Sequence, residues 1–293
     1  MAFTLENKAI CKTNNLTVVI MILSAPEHTE HRRAIRETWA NSSRSSSMPE
    51  VRTIFVIGRL KHWTTQSLIE KEFADYGDIL QGNFEDNYKN LSLNSLYGYQ
   101  WLNQNCANAE FVIKSDDDIV INFNKLFHAI NNRLMFVNRT REVACFRVRS
   151  TVHRERHSKY FVGEHVFMNV DYTPAYCEGK FVLMTMDLIP DLLESAFLTP
   201  LFWLEDIYWY GLVMSSVPDI TYTRIIWGEK IEPKAEKAIE CLQKRDNCKF
   251  FITWPRNVAE IRKIYTLMEK DNSTYTETDF INATIEQEIF LVS

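Results

Sequence analysis

Apolar residues run almost unbroken through residues 16–23 and again through 53–58. Both runs are rich in β-branched side chains and too short for core helices, the pattern of strands buried on both faces of a parallel sheet. Between them Ser24 and Glu27 have capping-box spacing with Pro26 in the first turn. That predicts a helix opening at Ser24, carrying residues 31–39 and turning Ala34, Ile35 and Trp39 inward. Residues 41–49 are Ser-rich and read as a loop. Leu68, Ile69, Phe73 and Tyr76 fall at helical spacing before Gly77, placed as a C-cap. Residues 78–80 read as a short edge strand and 81–90 as a polar loop, followed by a helix over 91–106 with Leu93, Leu96, Tyr97 and Trp101 inward. A strand over 110–114 then enters Ser115-Asp116-Asp117-Asp118 and a second apolar run, 119–122.

A short helix over 125–134 and a strand over 143–146 follow. Residues 147–159 are basic and polar, 160–169 read as extended, and 172–179 as a turn-rich aromatic loop. The tail from Glu229 is charged and helical, with Ile261, Ile264, Tyr265 and Met268 forming one apolar stripe that reads as packing. Strands alternating with helices over 16–130 predict an α/β domain with a mostly parallel central sheet flanked by helices. Such sheets bind ligands at the carboxyl ends of their strands, where Ser24, Gly58 and Asp116 to Asp118 converge.

The 293 residues are 46% hydrophobic and 13% aromatic, enough to bury a full core. A net charge of −5 and a pI near 5.9 supply no general basic field, so neither nucleic acid nor an anionic membrane surface is suggested as a partner. The run at 16–23 falls well short of the ~20 residues a membrane span requires, and no signal or transit segment is visible. The 6 cysteines contain no Cys-x-x-Cys pair, which leaves a zinc ribbon or thioredoxin-type motif unsupported and points to disulfides in an oxidising compartment. Cys241 and Cys248 are close enough to close a small loop, but spacing does not fix the pairing. Sequons at Asn15, Asn41, Asn90, Asn138, Asn272 and Asn282 fit a secretory-pathway protein.

Three adjacent carboxylates, Asp116, Asp117 and Asp118, cannot be buried without a partner, so they mark the open end of a strand. They are either a solvated acidic turn or a site for a hard divalent cation, with Asp116 and Asp118 able to turn toward one point. An EF-hand is excluded, because Val120 and Ile121 fall where that motif requires an oxygen ligand and a Gly. Arg32, Arg33 and Arg36, on a helix beside a strand end, are either a phosphate site or a solvated basic face. His153 and His157 stand four apart without a zincin motif and read as part of a solvated or acceptor-contacting loop. Glu205 and Asp206 lie among large apolar residues, which suits either buried acids with a purpose or a helix N-cap.

Taken in order, residues 31–39 (His-Arg-Arg-Ala-Ile-Arg-Glu-Thr-Trp), Phe55-Val56-Ile57-Gly58, the run from Tyr76-Gly77-Asp78 to Asn90-Leu91-Ser92-Leu93, Lys114-Ser115-Asp116-Asp117-Asp118, Tyr176-Cys177-Glu178-Gly179 and Leu204-Glu205-Asp206-Ile207 resemble the β-1,3-galactosyltransferase family over about residues 16–225. The resemblance implies a GT-A-like fold and inverting transfer of galactose or N-acetylglucosamine from a UDP-sugar to a 3-hydroxyl of an acceptor glycan on protein or lipid. It also implies Mn²⁺ and a Golgi-luminal location behind an N-terminal membrane anchor absent from this chain. On this layout 1–15 is an N-terminal extension or remnant stem, 16–228 the transferase domain and 229–293 a helical extension packed on it. Carried over by position, Asp116 to Asp118 is the family's DxD, with Asp118 the direct metal ligand and Asp116 its companion. Arg32, Arg33, Arg36, Gly58, Asp86, Lys114, Asp116 and Asp117 lie toward the nucleotide, and Asp206 is the general base with Glu205 beside it. Three positions depart from the pattern: Asn94 replaces a Lys, the stretch Gly179-Lys180 lacks the family's second Gly, and no His follows His165. These departures motivate the alternative of a luminal glycan-binding protein on the same fold.

Overall fold

The computed structural model describes residues 1–41, 49–60, 63–226, 229–245 and 248–271. The Ser-rich stretch 42–48, the domain boundary at 228 and the sequons at Asn272 and Asn282 lie outside them. In chain order the elements are β1 (Phe3–Leu5), β2 (Leu16–Leu23), α1 (Thr29–Glu37), β3 (Glu50–Arg59), α2 (Trp63–Tyr76), β4 (Ile79–Glu85), α3 (Leu91–Asn105), β5 (Phe111–Asp116), β6 (Val120–Ile121) and α4 (Phe123–Asn131). There follow β7 (Glu142–Val148), β8 (Tyr176–Thr185), α5 (Ile189–Leu198), α6 (Glu205–Ile207), β9 (Thr221–Arg224), β10 (Ile231–Glu232), α7 (Ala235–Lys244), β11 (Ile252–Thr253) and α8 (Val258–Met268). Among the described residues no helix is long and apolar enough to cross a membrane.

One sheet has the order β1-β4-β3-β2-β5-β8-β7-β9. β4, β3, β2 and β5 are mutually parallel, while β1 and β8 run the other way. This is the α/β architecture with a mostly parallel central sheet expected from the sequence. β2 lies at the centre, and its side chains alternate between two cores. Val18, Ile20 and Ile22 pack toward α1, α4, α7 and α8, whereas Val19, Met21 and Leu23 pack toward α3 and α5. The register sets Leu23 level with Asp116 on one side and Val56 on the other, so the loops after β2, β3 and β5 open together.

Several expectations are corrected. α1 begins at Thr29 rather than Ser24, because the Ser24 hydroxyl donates 2.6 Å to Asp117 and the turn is filled by Arg32, which donates to the carbonyls of Ala25 and Pro26. β4 is not an edge and not followed at once by a polar loop. It continues to Glu85, is covered by β1, and buries Gln81 by hydrogen bonds to Gly58 O and Gln66. α3 is rotated from its expected face: Ser92, Asn94, Ser95, Gly98, Tyr99 and Leu102 are buried alongside Trp101, while Leu93, Leu96 and Tyr97 are half-buried. Gly98 explains the rotation, since a Cβ there would lie 2.2 Å from Met21 Sδ and the helix could not approach β2. Residues 160–169 form turns rather than an extended segment, tied by the Arg154 guanidinium to the carbonyls of Val162, Gly163, Val166 and Phe167. Residues 176–179 open strand β8 instead of a loop, because that strand fills the slot between β5 and β7 and Cys177 bonds to Cys145. The tail is more than helices: β10 and β11 form a small sheet with β6, directly after the acidic turn.

The 6 cysteines all pair, as Cys11–Cys106, Cys145–Cys177 and Cys241–Cys248. The first bond fastens the N-terminal segment to the end of α3 across 95 residues of sequence. Replacing both Cys11 and Cys106 with Ser should lower unfolding free energy by about 4 to 5 kcal/mol on the chain-entropy estimate for a loop of that size, measured by urea denaturation. A loss under about 1 kcal/mol would show that the segment is not part of the cooperative unit.

Candidate active site

The centre of the site is an ammonium. Lys114 stands on β5 opposite Met21 of β2 and Val182 of β8, so its side chain leaves the middle of the sheet fully buried. Its Nζ donates to Gly179 O at 2.6 Å, to Asp116 Oδ1 at 3.1 Å and to Glu205 Oε2 at 3.1 Å, which uses all three donors. Burial works against the charge, but Asp116 and Glu205 outweigh it and hold the pKa above the usual lysine value. Gly179 is required for this approach: a Cβ there would lie 2.8 Å from Glu205 Oε2 and 3.1 Å from Lys114 Nζ. Glu205 is not an N-cap. It is buried, and its other oxygen accepts from Ser95 at 2.6 Å, so it anchors Lys114 and has no oxygen turned to a substrate.

The three aspartates point in different directions. Asp116 is partly exposed at the strand end, level with Leu23. Asp117 turns back, accepting from Ser24 Oγ at 2.6 Å and lying 2.9 Å from His28 Nδ1, and this bond raises the His28 pKa. Asp117 therefore ties β5 to the loop after β2. Asp118 accepts from Lys180 through Oδ2, while its Oδ1 is buried with no hydrogen-bond partner. An orphaned carboxylate oxygen beside a second carboxylate is a hard-oxygen donor set, which fits a divalent cation. Among the described residues no cluster of three or more His, Cys, Asp or Glu side chains could hold one, so Asp116 and Asp118 would supply only part of its shell.

The arginines are placed differently from their expected roles. Arg32 is fully buried, and its guanidinium is saturated by Glu72, Ser24, Thr29 and the carbonyls of Ala25 and Pro26. Arg36 pairs with Glu72 and Asp78 at 2.7 Å and lies over the Phe55 and Tyr76 rings. Arg33 is exposed and paired with Glu30. Arg32 and Arg36 thus lock α1 to α2 through Glu72, and Arg36 also holds Asp78. At the adjoining strand ends Gly58 N donates to Asp86 Oδ2 at 2.5 Å. Burial raises the Asp86 pKa, opposed by that N–H and by a hydrogen bond from Asn94. Asn94 stands near Asp86 where the resemblance expects a lysine, and its Oδ1 is buried without a partner.

Beside this cluster is a cavity of about 380 Å³ lined by Arg149, His153, Tyr160, Tyr176, Glu178 and Asp206, among others. Asp206 Oδ1 accepts from Ile207 N at 2.9 Å. Its pKa is raised by burial and by Asp116, against the Ile207 N–H and Lys114. Glu178 is pushed up to about 7 by burial, with Lys180 opposing and Asp206, Asp116 and Asp118 adding, and its Oε2 is buried without a partner. Sequence reasoning missed Glu178 and Lys180 as site residues. The signal was available in the alternation of residues 176–185: read as a strand, it puts Glu178 and Lys180 on one face and Cys177, Gly179 and Phe181 on the other.

The galactosyltransferase family model matches residues 30–224, which include Asp116, Asp118, Glu178 and Asp206. The chain belongs to the galactosyltransferase family. It is 26% identical over 206 residues to beta-1,3-galactosyltransferase 1 of Mus musculus, covering 70% of this chain and 62% of that protein. It is 31% identical over 201 residues to an acetylgalactosaminyl-O-glycosyl-glycoprotein beta-1,3-N-acetylglucosaminyltransferase of Mus musculus, covering 65% and 49% respectively. With UDP-GalNAc:beta-1,3-N-acetylgalactosaminyltransferase 1 of Rattus norvegicus it shares 30% over 212 residues, 70% of this chain and 62% of that one. The chain thus spans between 49% and 62% of the length of these curated relatives. Among solved structures, the WbbM bifunctional glycosyltransferase overlaps 89% of this chain and 52% of its own at 9% identity and a TM-score of 0.45.

The matched segment stops short of the tail, so β10, β11 and Trp254, which close around the acidic turn, lie outside it. Within it, the Glu178 carboxyl has a testable consequence. Its folded pKa of about 7 exceeds the ordinary 4.5, so between those values the folded protein keeps a proton that the unfolded chain has released. Stability from this group therefore falls as pH rises through that window. Glu178→Gln removes the titration, and its melting temperature relative to the parent protein should climb from pH 4.5 to 7 and then level off. Parallel pH profiles for the two proteins would refute the raised pKa.

Proposed function

We infer that the chain is an inverting hexosyltransferase that moves galactose or an N-acetylhexosamine from a UDP-sugar to a 3-hydroxyl of an acceptor glycan. The observation that carries this reading is Asp206, a carboxylate with its pKa raised by burial, on the wall of a cavity next to the Asp116–Asp118 turn in a chain of this family. With the acceptor in the cavity, Asp206 takes the proton of its hydroxyl as that oxygen bonds to the anomeric carbon from the face opposite the diphosphate. The anomeric carbon–phosphate oxygen bond breaks, UDP leaves with the electron pair, and the configuration inverts. Mn²⁺ held by Asp118 and Asp116 would neutralise the charge that builds on the departing diphosphate. Lys114 and Glu205 hold Asp116 and the Gly179 backbone in place.

Three disulfides and the sequons support a luminal, secretory-pathway setting, which we assign to the Golgi, with glycoprotein or glycolipid acceptors and any membrane attachment through an N-terminal anchor. The glycan-binding alternative is not favoured, since the relatives the chain matches are named as glycosyltransferases and the absence of a side chain at Gly179 is what lets Lys114 meet Glu205. Asp206→Asn should lower transfer by 10²- to 10⁴-fold, the usual span for a general base, in a UDP-release assay with Mn²⁺ and acceptor. Asp118→Ala should lose activity that added Mn²⁺ restores only in part. Full activity in Asp206→Asn would sink the assignment of the base.

A further inference from the structure

The two outer aspartates of the acidic turn already carry ammonium groups, and they carry them differently. Lys114 is fully buried, saturated by three acceptors and locked beneath the sheet's end, so its bond to Asp116 is part of the framework. Lys180 is half-buried, and the contacts of its Nζ are Asp118 Oδ2 and the face of the Trp254 ring, 5.0 Å away. Trp254 follows β11, which pairs with β6 immediately beyond Asp118, so the indole that receives Lys180 is fixed to the same turn as the acid. Asp118 Oδ1 stays buried without a partner. One oxygen of the proposed metal ligand is thus unpaired, while the other is covered by a cation that could withdraw onto an aromatic face.

We propose that Lys180 is a displaceable countercharge that suppresses divalent-cation binding at Asp118 until a nucleoside diphosphate is present. The proposal rests on the reading of Asp118 as a metal ligand. An ammonium already on Asp118 repels a divalent cation and takes up part of the carboxylate's charge, so metal alone binds weakly. A diphosphate brings enough negative charge for both cations, so metal and nucleotide bind with positive coupling, and that coupling is reciprocal. The Trp254 face gives the ammonium a second resting place when it leaves the carboxylate.

The test is Mn²⁺ titration, followed by calorimetry and by the EPR signal of free Mn²⁺, with and without UDP, in the parent protein, Lys180→Met, Lys180→Arg and Asp118→Asn. Lys180→Met should bind Mn²⁺ alone about tenfold or more tighter than the parent, and UDP should then improve that affinity by a smaller factor. Lys180→Arg, which keeps the charge, should stay close to the parent. Equal Mn²⁺ affinity in the parent and Lys180→Met, each folded by circular dichroism, would overturn the proposal. Undiminished Mn²⁺ binding in Asp118→Asn would instead overturn the metal-ligand reading on which it rests.

Discussion

The site depends on placing a lysine ammonium where no water can reach it. A buried charge of that kind persists only if every donor is matched, and Lys114 is matched by Asp116, Glu205 and the Gly179 carbonyl. Those partners come from β5, α6 and β8, elements far apart in sequence, so the ion cluster fixes three pieces of the site against one another at once. It also explains why residue 179 has no side chain and why Ser95 is turned inward on α3: one leaves room for the ammonium, the other satisfies the remaining oxygen of Glu205. Removing one member would leave another charge buried and unpaired, which gives the arrangement its rigidity.

Around that centre the protein divides its acids by environment. Asp117 is spent on Ser24 and His28, Glu205 on Lys114 and Ser95, and Glu72 on Arg32 and Arg36, so each has a structural partner. Asp206 and Glu178 instead face a cavity, where burial raises both pKa values, with Asp116 adding at Asp206 and Asp206, Asp116 and Asp118 adding at Glu178. Asp118 stands between these classes, with one oxygen paired and one buried without a partner. Among the described residues the buried carboxylate oxygens without a hydrogen-bond partner are Asp118 Oδ1 and Glu178 Oε2, and both lie at one end of one sheet. That asymmetry locates the chemistry more sharply than the acidic triplet does by itself.

The tail changes the meaning of the acidic turn. Ile231–Glu232 and Ile252–Thr253 add strands to Val120–Ile121, and Trp254 then reaches Lys180, so residues outside the family-matched segment hold the loop that carries Asp118. The N-terminal residues do the same for the opposite edge, where β1 covers β4 and the Cys11–Cys106 bond secures the approach. Both ends of the described chain close edges of the sheets, which would otherwise present unpaired backbone groups.

The long apolar strands β2, β3 and β5, the helix ending at Gly77 and the convergence of Ser24, Gly58 and Asp116 at one sheet end were legible in the sequence. Local periodicity and backbone preference decide them, and burial on both faces leaves little freedom to choose otherwise. The inward face of α3 was not legible, because the close approach of Gly98 to Met21 sets it, against the hydrophobic spacing of the helix. Nor was the saturation of Arg32 and Arg36, since a charged side chain's partner is chosen by whatever folds beside it. Composition and order specified a parallel α/β sheet with acids at its open end. Which acids were spent on packing and which were left for chemistry was decided only when β8, α6 and the tail closed over that end, because a charge's role depends on the partners that burial brings within reach.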